Sequence, residues 1–431
     1  MSGFQEEITS NGHILYWYDA TKMKDSSSNK ILGMDLDWTL IRPIKGKIHP
    51  LDENDWQFLY DAEHMRAISD KIATGYKFVI FTNQGGLLSK KGGSMGVEEF
   101  KSRWYVIIDR LEKEHNIIPF ALVASLYDDF NRKPCGGMWQ FLEEIMQSKY
   151  GGIKINHTGS LYVGDMAGRK GDHSASDLLF AMNLEVPFQV PEVFYSGDGC
   201  ELAGNKTSTL IKNVLADEHV FNPKLEKISK RTIKINTATK DEIQAMLGDS
   251  HIQCLVIFIG SPASGKSSWY DMHLKDMRNL VHLGMDTFNG TLTKFHKEVE
   301  AELKKGKNVI VDNTNGTSKT REKLIKIARD SGRDSGREIQ VIAVHFTTEK
   351  RICLYQNSIR TKEVNVCALH ESASCGHNVP AVAIHAYWKH FEWVNIDKED
   401  IDVVYTIEWE PILIKGNNEK DEKRQRLWIC C

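Results

Sequence analysis

Two aspartates separated by one residue, Asp35 and Asp37, follow the apolar run Ile31-Leu32-Gly33-Met34. Carboxylates spaced i, i+2 past a buried strand can be presented together only where the backbone turns. One can attack phosphorus while the other protonates the departing oxygen, two tasks that a single carboxylate cannot perform at once. An anion approaching a phosphate dianion meets strong repulsion, so a divalent cation belongs at such a site, and Mg2+ suits an all-oxygen ligand set. Asp165, in Gly164-Asp165, offers a third oxygen donor beside Asp35 and Asp37. Thr82 and Asn83 close a second apolar run and can hydrogen-bond the phosphate. Lys133, in Arg132-Lys133-Pro134, can neutralise the transferring oxygens. A lone Asp-x-Asp is usually a turn; four such signals in order, each beside an expected strand end, make a catalytic site.

A second, unrelated phosphate signature follows the apolar run Leu255-Val256-Ile257-Phe258-Ile259: Gly260-Ser261-Pro262-Ala263-Ser264-Gly265-Lys266-Ser267-Ser268. Its glycines let backbone N–H groups wrap phosphates at a helix N-terminus. Gly260, Ser264, Gly265, Lys266, Ser267 and Ser268 are the candidate nucleotide-binding residues, with Lys266 on the β/γ-phosphates of ATP and Ser267 on its Mg2+. A kinase must also deprotonate an acceptor hydroxyl, which calls for an acid beyond the loop. Asp286 ends the short stretch Leu283-Gly284-Met285. A chain with both sites should take phosphate off one position and put it on another.

These residues need strand ends to present them. Segments 31–36, 76–82, 120–126 and 161–164 read as short buried strands, with helical patterns at Val97–Glu114 and Gly137–Ser148 between them. Strands alternating with helices predict a mostly parallel sheet covered on both faces, with ligands at the carboxyl ends of its strands. A mixed stretch from about 196 to 250 precedes a second α/β set, with strands at 253–259, 308–311 and 339–346 and helices after Lys266 and at Thr317–Asp330.

The 431 residues suggest two domains. Composition is globular, 41% hydrophobic and 26% charged, and no run approaches the roughly 18 apolar residues of a membrane span. The first residues resemble neither a secretory nor an organellar signal. Eight cysteines form no dense framework, so free thiols in a reducing compartment are expected. The net charge of −3 excludes a blanket basic surface but not a local nucleic-acid groove. The lysine-rich segment from Lys224 to Lys240 reads as a solvated linker, with contact to a polyanion as the alternative.

Met34-Asp35-Leu36-Asp37-Trp38-Thr39-Leu40-Ile41, Val79-Ile80-Phe81-Thr82-Asn83-Gln84, Arg132-Lys133-Pro134-Cys135-Gly136-Gly137-Met138-Trp139 and Tyr162-Val163-Gly164-Asp165-Met166-Ala167-Gly168-Arg169 resemble the haloacid-dehalogenase phosphatases. From about residue 31 to 415, the chain is similar in domain order to the bifunctional polynucleotide phosphatase/kinases. The resemblance implies an α/β fold: a haloacid-dehalogenase-like Rossmannoid phosphatase domain at 31–222, a linker at 223–250 and a P-loop kinase domain at 251–415. Residues 1–30 are then an N-terminal extension and 416–431 a charged tail. It further implies Asp35 as nucleophile, Asp37 as general acid and then base, Asp165 as a magnesium ligand and Asp286 as the base for a 5′-hydroxyl. Thr82, Lys133 and Arg360 complete the catalytic set. The substrates implied are DNA ends, or RNA ends, carrying a 3′-phosphate or a 5′-hydroxyl.

Departures from the family pattern are equally specific. Trp38 stands where the family has glycine, which gives a permissive turn. On the expected lid helix, Leu354 and Ser358 occupy arginine positions, Arg360 is in register, and Arg351 could compensate from a shifted turn. Trp388 replaces a further arginine. These changes point to a phosphatase-dominant enzyme with weak or altered kinase activity as one alternative; a small-metabolite phosphatase/kinase is another. Asp172 and Asp177 fit either orienting the metal shell or Lys133, or capping a helix. Asp312 fits a role in organising the metal or the site network. Cys367-x-x-His370 and Cys375-x-His377 match no standard zinc spacing. Trp56, Trp104 and Trp139 are expected in the core; Trp388 and Trp393 are expected to fill it or stack on a base. The few residues before Asp35 leave no room for the family's phosphopeptide-binding module. Action before a ligase, a monomeric state and a nuclear location, with mitochondrion or cytoplasm as alternatives, follow from the resemblance alone.

Overall fold

Alternation of side chains along each strand organises both halves of the chain. In the computed structural model, Ile31, Val79, Phe81, Val123 and Tyr162 enter one buried cluster, while Leu32, Met34, Phe78, Ile80, Leu122 and Val163 enter another. A strand whose successive residues are all apolar needs cover on both faces, and helices supply it. The structure describes residues 3–18, 28–45, 50, 52–88, 96–149, 152–196, 207–216, 237–369 and 379–408. These fall into two compact units, residues 3–216 with 361–369, and residues 237–360 with 379–408.

The first unit contains β1 (Gln5–Thr9), β2 (Gly12–Tyr18), β3 (Lys30–Met34), β4 (Ile41–Arg42), β5 (Gln57–Phe58), α1 (Ala62–Ala73), β6 (Tyr76–Asn83), α2 (Val97–His115), β7 (Ala121–Ser125), α3 (Gly137–Lys149), β8 (Leu161–Val163), α4 (Ser176–Leu184), β9 (Phe188–Gln189), α5 (Pro191–Ser196) and α6 (Thr207–Ala216). Its sheet runs β1-β2-β7-β6-β3-β8-β9. The five strands from β7 to β9 are parallel, and β1 and β2 are antiparallel additions. The sequence reading treated residues 1–30 as an extension, but residues 5–18 form the β1–β2 hairpin on that sheet. Asn11-Gly12 at the turn, with Gly12 at φ +126°, is the signal that marks it.

The second unit contains α7 (Thr237–Gly248), β10 (Gln253–Ile259), α8 (Lys266–His273), β11 (Leu280–Leu283), α9 (Leu292–Lys304), β12 (Asn308–Asp312), α10 (Ser318–Ser335), β13 (Ile339–Phe346), α11 (Lys350–Leu369, whose last residues group with the first unit), α12 (Ala381–His390) and β14 (Val403–Ile407). Its sheet, β11-β12-β10-β13-β14, is parallel throughout. Helix α7 occupies the end of the stretch expected to be linker. Helix α10 runs past the expected Asp330, because Gly332 is tolerated where the chain packs closely and the true stop is Gly336, at φ +64°.

Trp56, Trp104 and Trp139 are buried as expected, whereas Trp393 is 70% exposed and fills no core. The lysine-rich stretch up to residue 236, His370, Cys375, His377 and the tail from residue 409 lie outside the described residues. Among the described residues, no helix is long and apolar enough to cross a membrane.

Candidate active sites

In the first unit, β3 ends at Met34 and the chain turns at once. The Asp35 amide donates to the Val163 carbonyl of β8, and the amides of Leu40 and Ile41 both donate to the Leu36 carbonyl. This tight loop sets Asp35 and Asp37 at the carboxyl end of the sheet. It also places Trp38 at φ +59°, the left-handed region in which a bulky L-residue is strained. The family's glycine would be unstrained there, so the departure noted in the sequence has a geometric counterpart.

Lys133 reaches the same point from the loop after β7, with its side chain buried. Its Nζ donates to Asp35 Oδ1 and to Asp177 Oδ1, each at 2.7 Å, and to the Tyr162 hydroxyl at 3.0 Å. The Tyr162 hydroxyl donates in turn to Asp177 Oδ1 at 3.0 Å. Burial pulls the Lys133 ammonium down, but the charges of Asp177 and Asp35 outweigh it and hold the group above its ordinary value. Asn83 fixes the loop, accepting from the Lys133 amide at 2.9 Å and donating to the Lys133 carbonyl at 3.2 Å. Its side chain therefore positions Lys133. Gly164 is needed because a Cβ there would lie 2.5 Å from Asp177.

Asp35, Asp165 and Asp177 each offer a carboxylate oxygen within 4.8 Å of the others. Burial is the main force raising Asp35 to about 7 and Asp165 to about 8, with neighbouring carboxylates adding to it. Asp165 Oδ1 is buried without a hydrogen-bond partner among the described residues. Three carboxylates facing one ammonium leave excess negative charge in the pocket once they ionise. A divalent cation with oxygen ligands fits that deficit, and its binding would be coupled to proton release.

Asp37 lies outside this triad. Its Oδ2 accepts from Gln84 Nε2 at 2.8 Å, and Gln84 Nε2 also donates to Thr82 Oγ1 at 2.8 Å. Asp37 Oδ1 lies 3.8 Å from Arg103. The loop turns the Asp37 carboxylate toward Gln84 and Arg103, while the carboxylates of Asp35, Asp165 and Asp177 share one pocket. Asp177 had been weighed equally as a helix cap, a reading its ion pair with Lys133 overrides. Asp172 acts further out. Its Oδ2 accepts from the amides of Ala167 and Arg169 and from Arg169 Nε, tying down the loop after Asp165. Gln84 lies in the segment that ends β6 but carries no assigned role in the sequence, and Arg103, a lone arginine on a helix, falls in no motif.

The second unit builds its cradle from backbone. Strand β10 ends at Ile259, and Gly265 at φ +94° opens α8. A Cβ on Gly260 would meet Ser264 Oγ at 2.6 Å, so the loop closes tightly there. Lys266 Nζ donates to the carbonyls of Gly260 at 3.0 Å and Ser261 at 2.9 Å. Burial lowers its pKa, with the charges of Asp312 and Asp286 acting against that. Ser267 Oγ donates to Asp312 Oδ2 at 2.7 Å, and His282 Nε2 meets the same oxygen at 3.1 Å. The His282 ring stacks on Tyr270, centroids 3.9 Å apart. Burial would raise Asp312, but His282, Lys266 and Ser267 together hold it below the ordinary range.

Asp286 follows β11 and is exposed; the loop before it is fixed by the Met285 amide donating to Asn313 Oδ1 at 2.8 Å. Asp286 and Arg360 both act electrostatically on Lys266, so the cradle, the candidate base and the lid arginine share one neighbourhood. On α11, Leu354 is half-buried and Ser358 exposed. Arg351 pairs with Glu349 at 2.7 Å, at the start of its own helix. Trp388 is half-buried, with Nε1 lacking a hydrogen-bond partner. Ser268 is exposed on the first turn of α8.

Comparison with known proteins agrees with this two-site arrangement. The profile of the family described as polynucleotide kinase 3 phosphatase matches residues 30–195, and that of an AAA domain matches residues 255–373. A bifunctional polynucleotide phosphatase/kinase of Schizosaccharomyces pombe is 27% identical over 382 residues, covering 88% of this chain and 80% of that protein. A polynucleotide 3′-phosphatase of Saccharomyces cerevisiae is 28% identical over 217 residues, 40% of this chain and 90% of its own length. A 3′-phosphatase of Arabidopsis thaliana is 32% identical over 178 residues, covering 39% of this chain and 24% of that protein. A haloacid-dehalogenase-like phosphatase domain followed by a P-loop domain along one chain matches the arrangement of the bifunctional polynucleotide phosphatase/kinase family.

Proposed function

We propose that the chain heals nucleic-acid ends, DNA in the first place. The first unit would remove a 3′-phosphate through an aspartyl phosphate, and the second would phosphorylate a 5′-hydroxyl from ATP. The observation that carries the reading is the buried Asp35–Lys133–Asp177 contact, with Asp165 beside it and Asp37 held separately by Gln84.

Asp35 supplies the attacking oxygen, and Lys133 fixes it while offering positive charge to the phosphoryl oxygens. Thr82 Oγ1 accepts from Gln84, which leaves its own hydroxyl proton to donate to the phosphate. Asp37 delivers a proton to the departing 3′-oxygen, then takes one from the water that releases phosphate from Asp35. Mg2+, held by Asp35, Asp165 and Asp177, would neutralise the phosphate so that an anionic nucleophile can approach.

In the second unit, Lys266 would exchange the Gly260 and Ser261 carbonyls for the β/γ-phosphates of ATP, and Asp312 would orient Ser267. Asp286, exposed and close enough to act on Lys266, takes the proton of the acceptor hydroxyl. Arg360 faces the charge that develops on the migrating group. Products carrying a 3′-hydroxyl and a 5′-phosphate are what a ligase joins, so action before ligation follows from the chemistry; the likeness to DNA-end-processing enzymes supports the nucleus as its place.

The test is turnover of one oligonucleotide with a 3′-phosphate and another with a 5′-hydroxyl, in Mg2+ and ATP. Asp35→Asn should abolish only the first reaction and Lys266→Ala only the second. Inactivity on both ends, with turnover of a small phosphate ester, would favour a metabolite enzyme.

A further inference from the structure

Among the described residues, two arginines are fully buried, and they are treated differently. In the second unit, Arg321 donates twice to Glu399 at 2.7 Å and also to the backbone carbonyls of Asn315 and Glu392. That is how a structural guanidinium is satisfied. In the first unit, Arg103 on α2 is also 0% exposed, yet none of its three guanidinium nitrogens has a hydrogen-bond partner among the described residues. Its surroundings are the Phe100 ring, 5.4 Å away, the Asp37 carboxylate at 3.8 Å, and the charge of Asp55. Burial drives the Arg103 pKa down, and these two carboxylates push it back up. If packing alone were required, an apolar side chain would fill the position without removing a charge from water.

The carboxylate opposite Arg103 is the proposed proton donor. Asp37 Oδ2 is held by Gln84 at the end of β6, while Oδ1 is buried and has no hydrogen-bond partner among the described residues. Resting on the phosphatase reading above, we infer that Arg103 is a positioning residue for Asp37. It holds Oδ1 by charge from α2 while Gln84 holds Oδ2, so the carboxyl group is aimed at the departing oxygen from two elements at once.

The chemistry makes this role separable from packing. As the bond from Asp35 to phosphorus forms, the bond from phosphorus to the leaving oxygen breaks. An alkoxide must take the Asp37 proton, whereas a nitrophenolate departs with its electron pair and needs none. The term kcat/KM covers the reaction only through that departure, so the later hydrolysis of the aspartyl phosphate does not enter it.

The experiment measures kcat/KM of the full chain with Mg2+ on a 3′-phosphorylated oligonucleotide, glycerol 2-phosphate and p-nitrophenyl phosphate. Arg103→Met and Arg103→Lys are made alone and with Asp37→Asn. Arg103→Met should lower kcat/KM on both alkyl esters by about tenfold to a hundredfold and change the aryl ester by less than about threefold. Arg103→Lys should restore part of the loss. In the Asp37→Asn background, Arg103→Met should cause no further loss. Equal losses on all three substrates in both variants, or full additivity with Asp37→Asn, would overturn the inference. A wild type active on both small esters but not on the oligonucleotide would overturn the nucleic-acid reading while the glycerol ester still tests Arg103. A wild type inert on all three would overturn both.

Discussion

In the first unit, the charged groups of the site are already locked together: Lys133 touches Asp35, Asp177 and Tyr162, and Gln84 touches Asp37 and Thr82. In the second, the P-loop lysine rests on its own loop carbonyls, and Asp286 stands exposed. The difference follows from the chemistry. A covalent nucleophile belongs to the protein and can be fixed in advance, so its geometry is stored in side chains. Transfer between two bound substrates stores its geometry in a backbone cradle and completes it when the substrates arrive.

The sharpest way to break this comparison is to remove the lock. Lys133→Met should lower 3′-phosphatase kcat by about a thousandfold and destabilise the protein by about 3 kcal/mol, because buried carboxylates lose their counter-charge. Single-turnover kinetics and urea unfolding would measure both, and 5′-phosphorylation should be unchanged. Asp165→Asn separates activity from stability. It should lower phosphatase turnover by about a hundredfold, yet stabilise the cation-free protein by about 1 kcal/mol at neutral pH, since the burial that pushes the Asp165 carboxyl up to about 8 no longer opposes folding. Calorimetry in chelator should show the higher midpoint for the variant.

For the second unit, restoring charge to the lid sharpens the contrast. Ser358→Arg should raise 5′-phosphorylation by about tenfold if α11 closes toward the phosphates, and leave the phosphatase alone. The smallest effect concerns Trp38. Trp38→Gly should be more stable than Trp38→Ala by about 1 kcal/mol, the reverse of the usual order, because φ is +59° there. Equal stability in denaturant melts would show that the backbone relaxes.

Most of the parallel sheets was legible in the sequence, because central strands such as 253–259 and 339–346 are continuous apolar runs bounded by polar residues. The β1–β2 hairpin was less so, since β1 is nearly all exposed and offers no buried face to read. Asp35, Lys133 and Lys266 are legible as candidates because their spacing carries chemistry. Asp177 is ambiguous in the sequence, since only the fold reveals which carboxylates share a pocket. Arg103 could not be found at all: one arginine among helical residues looks solvated until its burial is known.

The most direct measurement is an acid quench during the first turnover of an oligonucleotide carrying a radiolabelled 3′-phosphate, followed by peptide mapping. In Asp37→Asn, where departure of an alkoxide is also slowed, the adduct is accumulated instead from radiolabelled p-nitrophenyl phosphate, whose leaving group needs no proton. The account predicts label on the peptide containing Asp35 and none when Asp35→Asn is added. Phosphate released without any labelled peptide, or label that survives Asp35→Asn, would contradict it.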